Sequence, residues 1–180
     1  FALRPATDMR ALPTLSLAAS LAVCRAIETV AAPAGLAVKW PNDVLAHAGK
    51  LSGISLEALA GGVCIGVGIN VFPRRDVTEV PGKYRLAYLF DDEAADDLSA
   101  AQRAIATQLL GALLTEMDAY YRRWQDEGFA GLIGEYEQRL AFVGSSCALE
   151  TIDGTPLETG TIRGVDTRGR LLVETPSGIV

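Results

Sequence analysis

The sequence predicts an α+β protein, with a mixed or antiparallel central sheet, packed helices and a small β unit at the end. Three observations indicate this class. Strand-like runs separated by short turns occupy residues 36–71. Helical patterns precede and follow them. From residue 141 the chain changes to short strands with Asp-Gly and Arg-Gly turns, typical of a small barrel. We therefore expect two domains, residues 1–140 and residues 141–180.

The helices are predicted from apolar spacing and capping signals. After a short strand over residues 1–4, Thr14 is the expected N-cap of a helix over about residues 15–31. Ser99 and Gln102 have the spacing of a capping box at the start of a long amphipathic helix, residues 100–127. A shorter helix is expected over residues 132–140.

Three strands are predicted between the first two helices, over residues 36–40, 51–59 and 63–71. The third is apolar on both faces, which favours a central position in the sheet. Gly66 and Gly68 alternate along it and remove side chains from one face. A ligand or another backbone is therefore expected to approach closely there.

Composition excludes several classes of function. The chain has 180 residues, 49% of them apolar, and a net charge of −6, which argues against sequence-independent nucleic-acid binding. Three scattered cysteines and one histidine supply a zinc site poorly and are typical of buried thiols in a reducing cytoplasm. No apolar run has the length of a membrane span, and no signal peptide is evident.

The residues between the first two predicted strands include several polar side chains. Lys39 ends one strand, Asn42 and Asp43 follow Pro41, and Lys50 precedes the next strand. If these strands are antiparallel neighbours, both lysines lie at the same end of the sheet, near Asn70 and the glycine-lined face. Such a set fits an anionic ligand, phosphate or carboxylate, with Asp43 able to hold Mg²⁺ or accept a proton from an amine. An ordinary solvated turn explains the same residues.

Three ordered motifs resemble the biotin protein ligases. They are KWPND at residues 39–43, KLSGI at residues 50–54 and GVGINV at residues 66–71. Residues 141–180 are similar to the small SH3-like domain of that family. The resemblance implies a class II synthetase-like catalytic fold and a two-step reaction with biotin, ATP and Mg²⁺. Biotin would form biotinyl-5′-AMP, and a lysine of a biotin carboxyl carrier protein would then accept the biotinyl group.

The resemblance also implies roles for individual residues. Lys50 would contact the carboxylate end of biotin and the adenylate phosphate, and Lys39 would assist with phosphate charge. Asp43 would order the loop and is a candidate for Mg²⁺ binding or for deprotonating the carrier lysine. The remaining expected site residues would hold the loop or a metal-bound water, or let the nucleotide approach the sheet: Asn42, Asn70, Gly53, Gly66 and Gly68.

One family feature does not occur in the sequence. The resemblance implies a glycine- and arginine-rich loop before the first strand, and Arg168-Gly169-Arg170 does not replace it because it lies in a predicted hairpin turn. We therefore expect a fragment of a longer ligase, with a shortened inactive homologue as the alternative. A lipoate or octanoate ligase and a non-catalytic biotin sensor, carrier-binding protein or repressor also stay open, as do monomer and homodimer.

Overall fold

A computed structural model describes residues 1–59, 61–73, 85–91 and 98–180. The α+β class is confirmed, with two antiparallel sheets and three α-helices in these residues. The helices are α1 (Pro13–Glu28), α2 (Ala100–Glu127) and α3 (Ile133–Arg139). The strands are β1 (Ala2–Leu3), β2 (Ala37–Lys39), β3 (Asp43–Ala46), β4 (Gly49–Leu59), β5 (Gly62–Ile69), β6 (Ser146–Glu150), β7 (Pro156–Val165), β8 (Leu171–Thr175) and β9 (Gly178–Ile179).

The first sheet contains a strand that the sequence did not predict. Its order is β1-β5-β4-β3-β2, so β3 separates the two strands that were expected to be neighbours. Residues 44–46 form most of β3 and are buried. Four residues next to a Pro-Asn turn are too short a run to show the alternation by which strands are recognised. Asp43, expected in a loop, therefore begins a strand and pairs with Lys39 and Gly53.

Helix α1 packs against this sheet and against α2, with twelve of its sixteen positions buried. Its alanines and serines let neighbouring elements approach closely on several sides. The predicted Thr14 cap is wrong, because the helix begins at Pro13, a favoured first position, and no side chain caps it. The Thr14 hydroxyl instead donates to the carbonyl of Ala11 and accepts from the indole of Trp124 at 2.8 Å.

Helix α2 begins as predicted, because both hydrogen bonds of the Ser99–Gln102 capping box form. Its buried stripe comprises Leu109, Leu113, Met117, Tyr120 and Trp124. The positions of α2 and α3 agree with the prediction within one or two residues. Among the described residues, no helix combines the length and apolar character needed to cross a membrane.

The second sheet has the order β6-β7-β8-β9, with antiparallel pairing throughout. It is linked to the first sheet through residues beside β2. The amide of Ala141 donates to the carbonyl of Val38 at 2.8 Å, and Leu140 forms a parallel bridge with Val38. The chain that leads into the second sheet is thus fixed directly beside the strand that leads into the Lys39–Asp43 motif.

Candidate functional site

A pocket open to solvent lies on the face of the first sheet that bears Gly53, Gly66 and Gly68. It encloses about 450 Å³ and is lined by Asn42, Asp43, Lys50, Gly53, Ile54, Ser55, Gly66, Val67 and Gly68. Side chains alternate between the two faces along a strand. These glycines and Ser55 therefore lie on one face of the sheet, and Ser52 and Ile54 are buried on the other. The volume falls within the range of small-molecule sites. Six of the eight residues predicted for the site line this pocket.

One carboxylate lies between two lysines, of which Lys50 lines the pocket and Lys39 does not. Asp43 Oδ1 lies 2.6 Å from Lys50 Nζ, and Asp43 Oδ2 lies 3.4 Å from Lys39 Nζ. The Asp43 side chain is 13% exposed, while those of Lys39 and Lys50 are 26% and 39% exposed. The three groups have a net charge of +1, and the lysines retain access to solvent. Lys39 and Lys50 were expected at one end of the sheet if their strands were neighbours; β3 lies between those strands, and both lysines instead contact Asp43.

A β-bulge explains why Lys50 faces the pocket. The pairing of β3 with β4 shifts between Val44, which opposes Ser52, and Leu45, which opposes Lys50. The extra residue is Leu51, which is fully buried like the Ser52 beside it. A bulge inserts one residue and re-aims the side chains that follow. Lys50 therefore shares a face with Gly53 and Ser55, although strict alternation would place Lys50 with Ser52.

The backbone of Lys50 is held by three hydrogen bonds. Its amide donates to the carbonyl of Arg85 at 2.7 Å. Its carbonyl accepts from the amide of Ala87 at 2.9 Å and from Asn70 Nδ2 at 3.1 Å. Asn70, a predicted site residue, thus acts on the main chain of Lys50. Its side chain fixes the starting point of the lysine instead of facing the pocket.

Asn42 joins the 39–43 motif to β4 through a reciprocal pair of hydrogen bonds. Asn42 Nδ2 donates to the carbonyl of Ile54 at 2.7 Å, and the amide of Ile54 donates to the carbonyl of Asn42 at 3.0 Å. Of the two expected roles for this residue, holding the loop has structural support. The reciprocal pair also explains how a turn containing proline keeps Asp43 in register with Gly53.

The three predicted glycines have different surroundings. A Cβ at Gly53 would lie 3.2 Å from Lys50 Cε and 3.3 Å from Lys50 Nζ, so this glycine makes room for the lysine. A Cβ at Gly66 would lie 2.6 Å from Ser55 Oγ on the paired strand. A Cβ at Gly68 would meet only the Gly53 carbonyl, at 4.0 Å. Gly68 therefore leaves the most open surface for a ligand.

Asp43 does not fit a magnesium site in this geometry. Each of its carboxylate oxygens already lies beside an ammonium group, so Mg²⁺ bound there would be repelled by two nearby cations. Within the described ranges, no cluster of three or more histidine, cysteine or acidic side chains is arranged to hold a metal ion. The pocket is suited to an anion approached by Lys39 and Lys50.

Two further residues near the pocket were not predicted. Ser55 lines the pocket opposite Gly66, and its alternation with Gly53 was the available signal. Trp40 is half-buried, and its indole Nε1 donates to the carbonyl of Gly169 at 2.9 Å. Nothing in the local sequence indicates a contact across 129 residues.

Comparison with known proteins supports a single family. Residues 1–71 match the biotin/lipoate A/B protein ligase family, and residues 142–180 match the biotin protein ligase C-terminal domain. The chain is 31% identical to a biotin–[acetyl-CoA-carboxylase] ligase of Paracoccus denitrificans, over 98% of this chain and 72% of the relative. It is 34% identical to the Mycobacterium tuberculosis protein of the same name, over 89% of this chain and 56% of that relative.

Solved structures resemble the whole described fold. The apo biotin protein ligase of Aquifex aeolicus superposes with a TM-score of 0.77 and 26% identity, covering 100% of this chain and 75% of the ligase. A structure of that ligase with biotin and ATP gives a TM-score of 0.72 at 24% identity, covering 100% of this chain and 72% of the ligase. The chain thus spans 56% to 75% of the length of these relatives.

Proposed function

Since the chain belongs to the family of biotin–[acetyl-CoA-carboxylase] ligases, we propose that it provides the adenylate-forming site of an ATP-dependent biotin–carrier-protein ligase. The observation that supports this most directly is the Lys39–Asp43–Lys50 cluster beside the open surface at Gly68. Cations at the edge of an uncovered sheet face fit a nucleotide whose phosphates meet the lysines. The relatives with matching names and the ligase bound to biotin and ATP support the same assignment.

In the first step, a carboxylate oxygen of biotin attacks the α-phosphorus of ATP, and pyrophosphate leaves with the electrons of the broken P–O bond. Negative charge is concentrated where the two anions meet. In our proposal Lys50 Nζ lies at that point and Lys39 supports the phosphate oxygens. Fixed cations stabilise such charge without reorganising during the reaction. The bulge at Leu51 and the three backbone bonds of Lys50 fix the main chain from which this side chain extends, and Asp43 holds its Nζ.

In the second step, the amine of a carrier lysine attacks the acyl carbon of biotinyl-5′-AMP, and AMP leaves. The attacking nitrogen loses a proton to water. We assign Asp43 an ordering role, since both of its oxygens lie beside lysine ammonium groups. In this proposal Mg²⁺ enters bound to the phosphate oxygens of ATP, as is usual for nucleotide sites. The role of Asn42 and Asn70 is to keep Asp43 and Lys50 in place.

The proposal also covers the roles of the two domains and the protein that accepts biotin. Residues 1–140 would form the catalytic part and residues 141–180 an SH3-like unit, which is supported by the separate sheet formed by β6 to β9. The match of residues 142–180 to the biotin-ligase C-terminal domain favours biotin over lipoate as the acid. A carboxyl carrier protein in the cytoplasm would be the acceptor.

The test is biotin-dependent ATP–pyrophosphate exchange, with lipoate as the competing acid. We expect exchange with biotin, and a loss of about 100-fold or more in Lys50→Ala, the magnitude typical of removing one group that stabilises transition-state charge. Arg122→Ala is the matched control, because it also removes a cation paired with a carboxylate, on the exposed side of α2. Exchange with lipoate alone would reject biotin, and equal exchange in Lys50→Ala would reject the assigned site.

A further inference from the structure

The turn between β7 and β8, residues 166–170, contacts the motif that contains the charged cluster. Its Gly169 carbonyl accepts the hydrogen bond from Trp40 Nε1. Trp40 lies directly after Lys39 and three residues before Asp43. Together with the Ala141–Val38 hydrogen bond, this contact attaches the second sheet to β2 just before the motif and again within it. The 166–170 turn belongs to the unit that lines none of the pocket.

The 166–170 turn is rigid in its own right. The amide of Asp166 donates to the carbonyl of Arg170, and the amide of Gly169 donates to the carbonyl of Asp166, both at 2.9 Å. Asp166 Oδ1 accepts from the amides of Arg168 and Arg170, also at 2.9 Å. Backbone amides thus donate four hydrogen bonds within these five residues, and Arg170 Nε donates another to Asp166 Oδ2 at 2.7 Å. These bonds fix the direction of the Gly169 carbonyl, which accepts the hydrogen bond from Trp40.

Gly169 also rests directly on helix α1. Its φ of 75° favours glycine, and a Cβ there would lie 2.6 Å from Leu17 Cδ1 and 3.0 Å from Thr14 Cγ2. Both α1 residues are buried. The turn is therefore placed by the core of the first domain, and it in turn fixes Trp40. A side chain at position 169 would have to push aside the buried Leu17 and Thr14 or lift the turn away from α1, and lifting the turn would withdraw the carbonyl from the indole.

We propose that Gly169 is a positioning residue for ATP: the 166–170 turn holds Trp40 and thereby sets the position of Lys39 and Asp43. This inference rests on the proposed function. The 39–43 motif is then fixed from two sides, by Asn42 on β4 and by Trp40 on the second sheet. The second sheet contributes to nucleotide binding through this contact without reaching the phosphates. A contact that only joined the two units would affect stability and leave ATP affinity unchanged.

The test compares ATP affinity, by calorimetry at a temperature where every variant is folded, in four single variants. Gly169→Ala displaces the acceptor, and Trp40→Phe removes the indole donor while keeping an aromatic ring. Gly154→Ala is the matched control, since it also introduces a side chain at a turn glycine of positive φ, 84°, but has no atom within 4 Å. Lys50→Ala tests the site itself.

We expect Gly169→Ala and Trp40→Phe each to weaken ATP binding about tenfold, which corresponds to about 1.4 kcal/mol. Gly154→Ala should bind ATP like the parent. A double variant that combines Gly169→Ala with Trp40→Phe should lose no more ATP affinity than either single variant, because both substitutions act on one contact. If Lys50→Ala weakens ATP binding while Gly169→Ala and Trp40→Phe do not, the inference is wrong and the proposed site stands. If the parent does not bind ATP, or if Lys50→Ala binds ATP as tightly as the parent, both the inference and the proposed site are wrong.

Discussion

Replacing Gly53 by alanine tests whether this glycine serves the lysine or the ligand. The new methyl carbon would lie 3.2 Å from Lys50 Cε and 3.3 Å from Lys50 Nζ. Carbon contacts settle at about 3.5 to 4.0 Å, so the lysine end must move by about 0.6 Å. The Lys50 side chain is 39% exposed and can move outward without disturbing the core. The free energy of unfolding should therefore change by less than about 1 kcal/mol.

The substitution instead weakens the electrostatic attraction between Lys50 and the phosphate of the ligand. Opposite unit charges about 3 Å apart attract by about 5.5 kcal/mol at an effective dielectric constant of about 20. At about 3.6 Å the attraction is about 4.6 kcal/mol under the same conditions. The difference of about 0.9 kcal/mol corresponds to about fivefold weaker ATP binding. The same factor should appear in the KM for ATP in the exchange assay.

A second background separates the two explanations for Gly53. In Lys50→Ala the side chain that the methyl group would displace is gone, so adding Gly53→Ala should cause no further loss of ATP affinity. A fivefold loss that persists in this background would refute the reasoning. It would mean that the ligand itself occupies the space above Gly53, as the sequence had suggested.

Two further predictions concern stability. The Ser52 hydroxyl is buried without a hydrogen-bond partner among the described residues, so Ser52→Ala should raise the free energy of unfolding by about 1 kcal/mol in urea titrations; a decrease would contradict this. Burial raises the pKa of Cys24 to about 12 and also raises that of Tyr136. The folded state therefore keeps protons that the unfolded state releases, and stability should fall above about pH 9, less steeply in Tyr136→Phe; a flat profile would contradict this.

The sequence was most informative where local chemistry determines structure. The capping box at Ser99, the stripe of buried residues on α2 and the turns of the second sheet follow from spacing and turn composition. Lys39 and Lys50 were also expected at one end of the sheet, although from a pairing of two strands that β3 separates. Each of these features depends on residues close together in the chain or on the regular spacing of apolar residues along a helix.

The details of the site depended on features that no local pattern shows. Strand β3 is four residues long and follows directly on the turn after β2, so its residues looked like part of a loop. The bulge at Leu51 moves Lys50 to the other face, because two consecutive buried residues oppose one position on β3. The contact of Gly53 with Lys50 and the hydrogen bond from Trp40 to Gly169 arise from tertiary packing, so the roles of Gly53 and Trp40 could not be predicted from local sequence.

The strand order also bears on the sequence of events during folding. Strands β2 to β5 follow one another along the chain as a meander, so the cluster at Lys39, Asp43 and Lys50 forms from contacts within residues 37–69. Short loops close quickly, and nearby strands pair before distant ones. The hydrogen bond from Trp40 spans 129 residues. A growing chain can therefore assemble its charged cluster early, while the geometry of the 39–43 motif reaches its final form only when the last strands have docked.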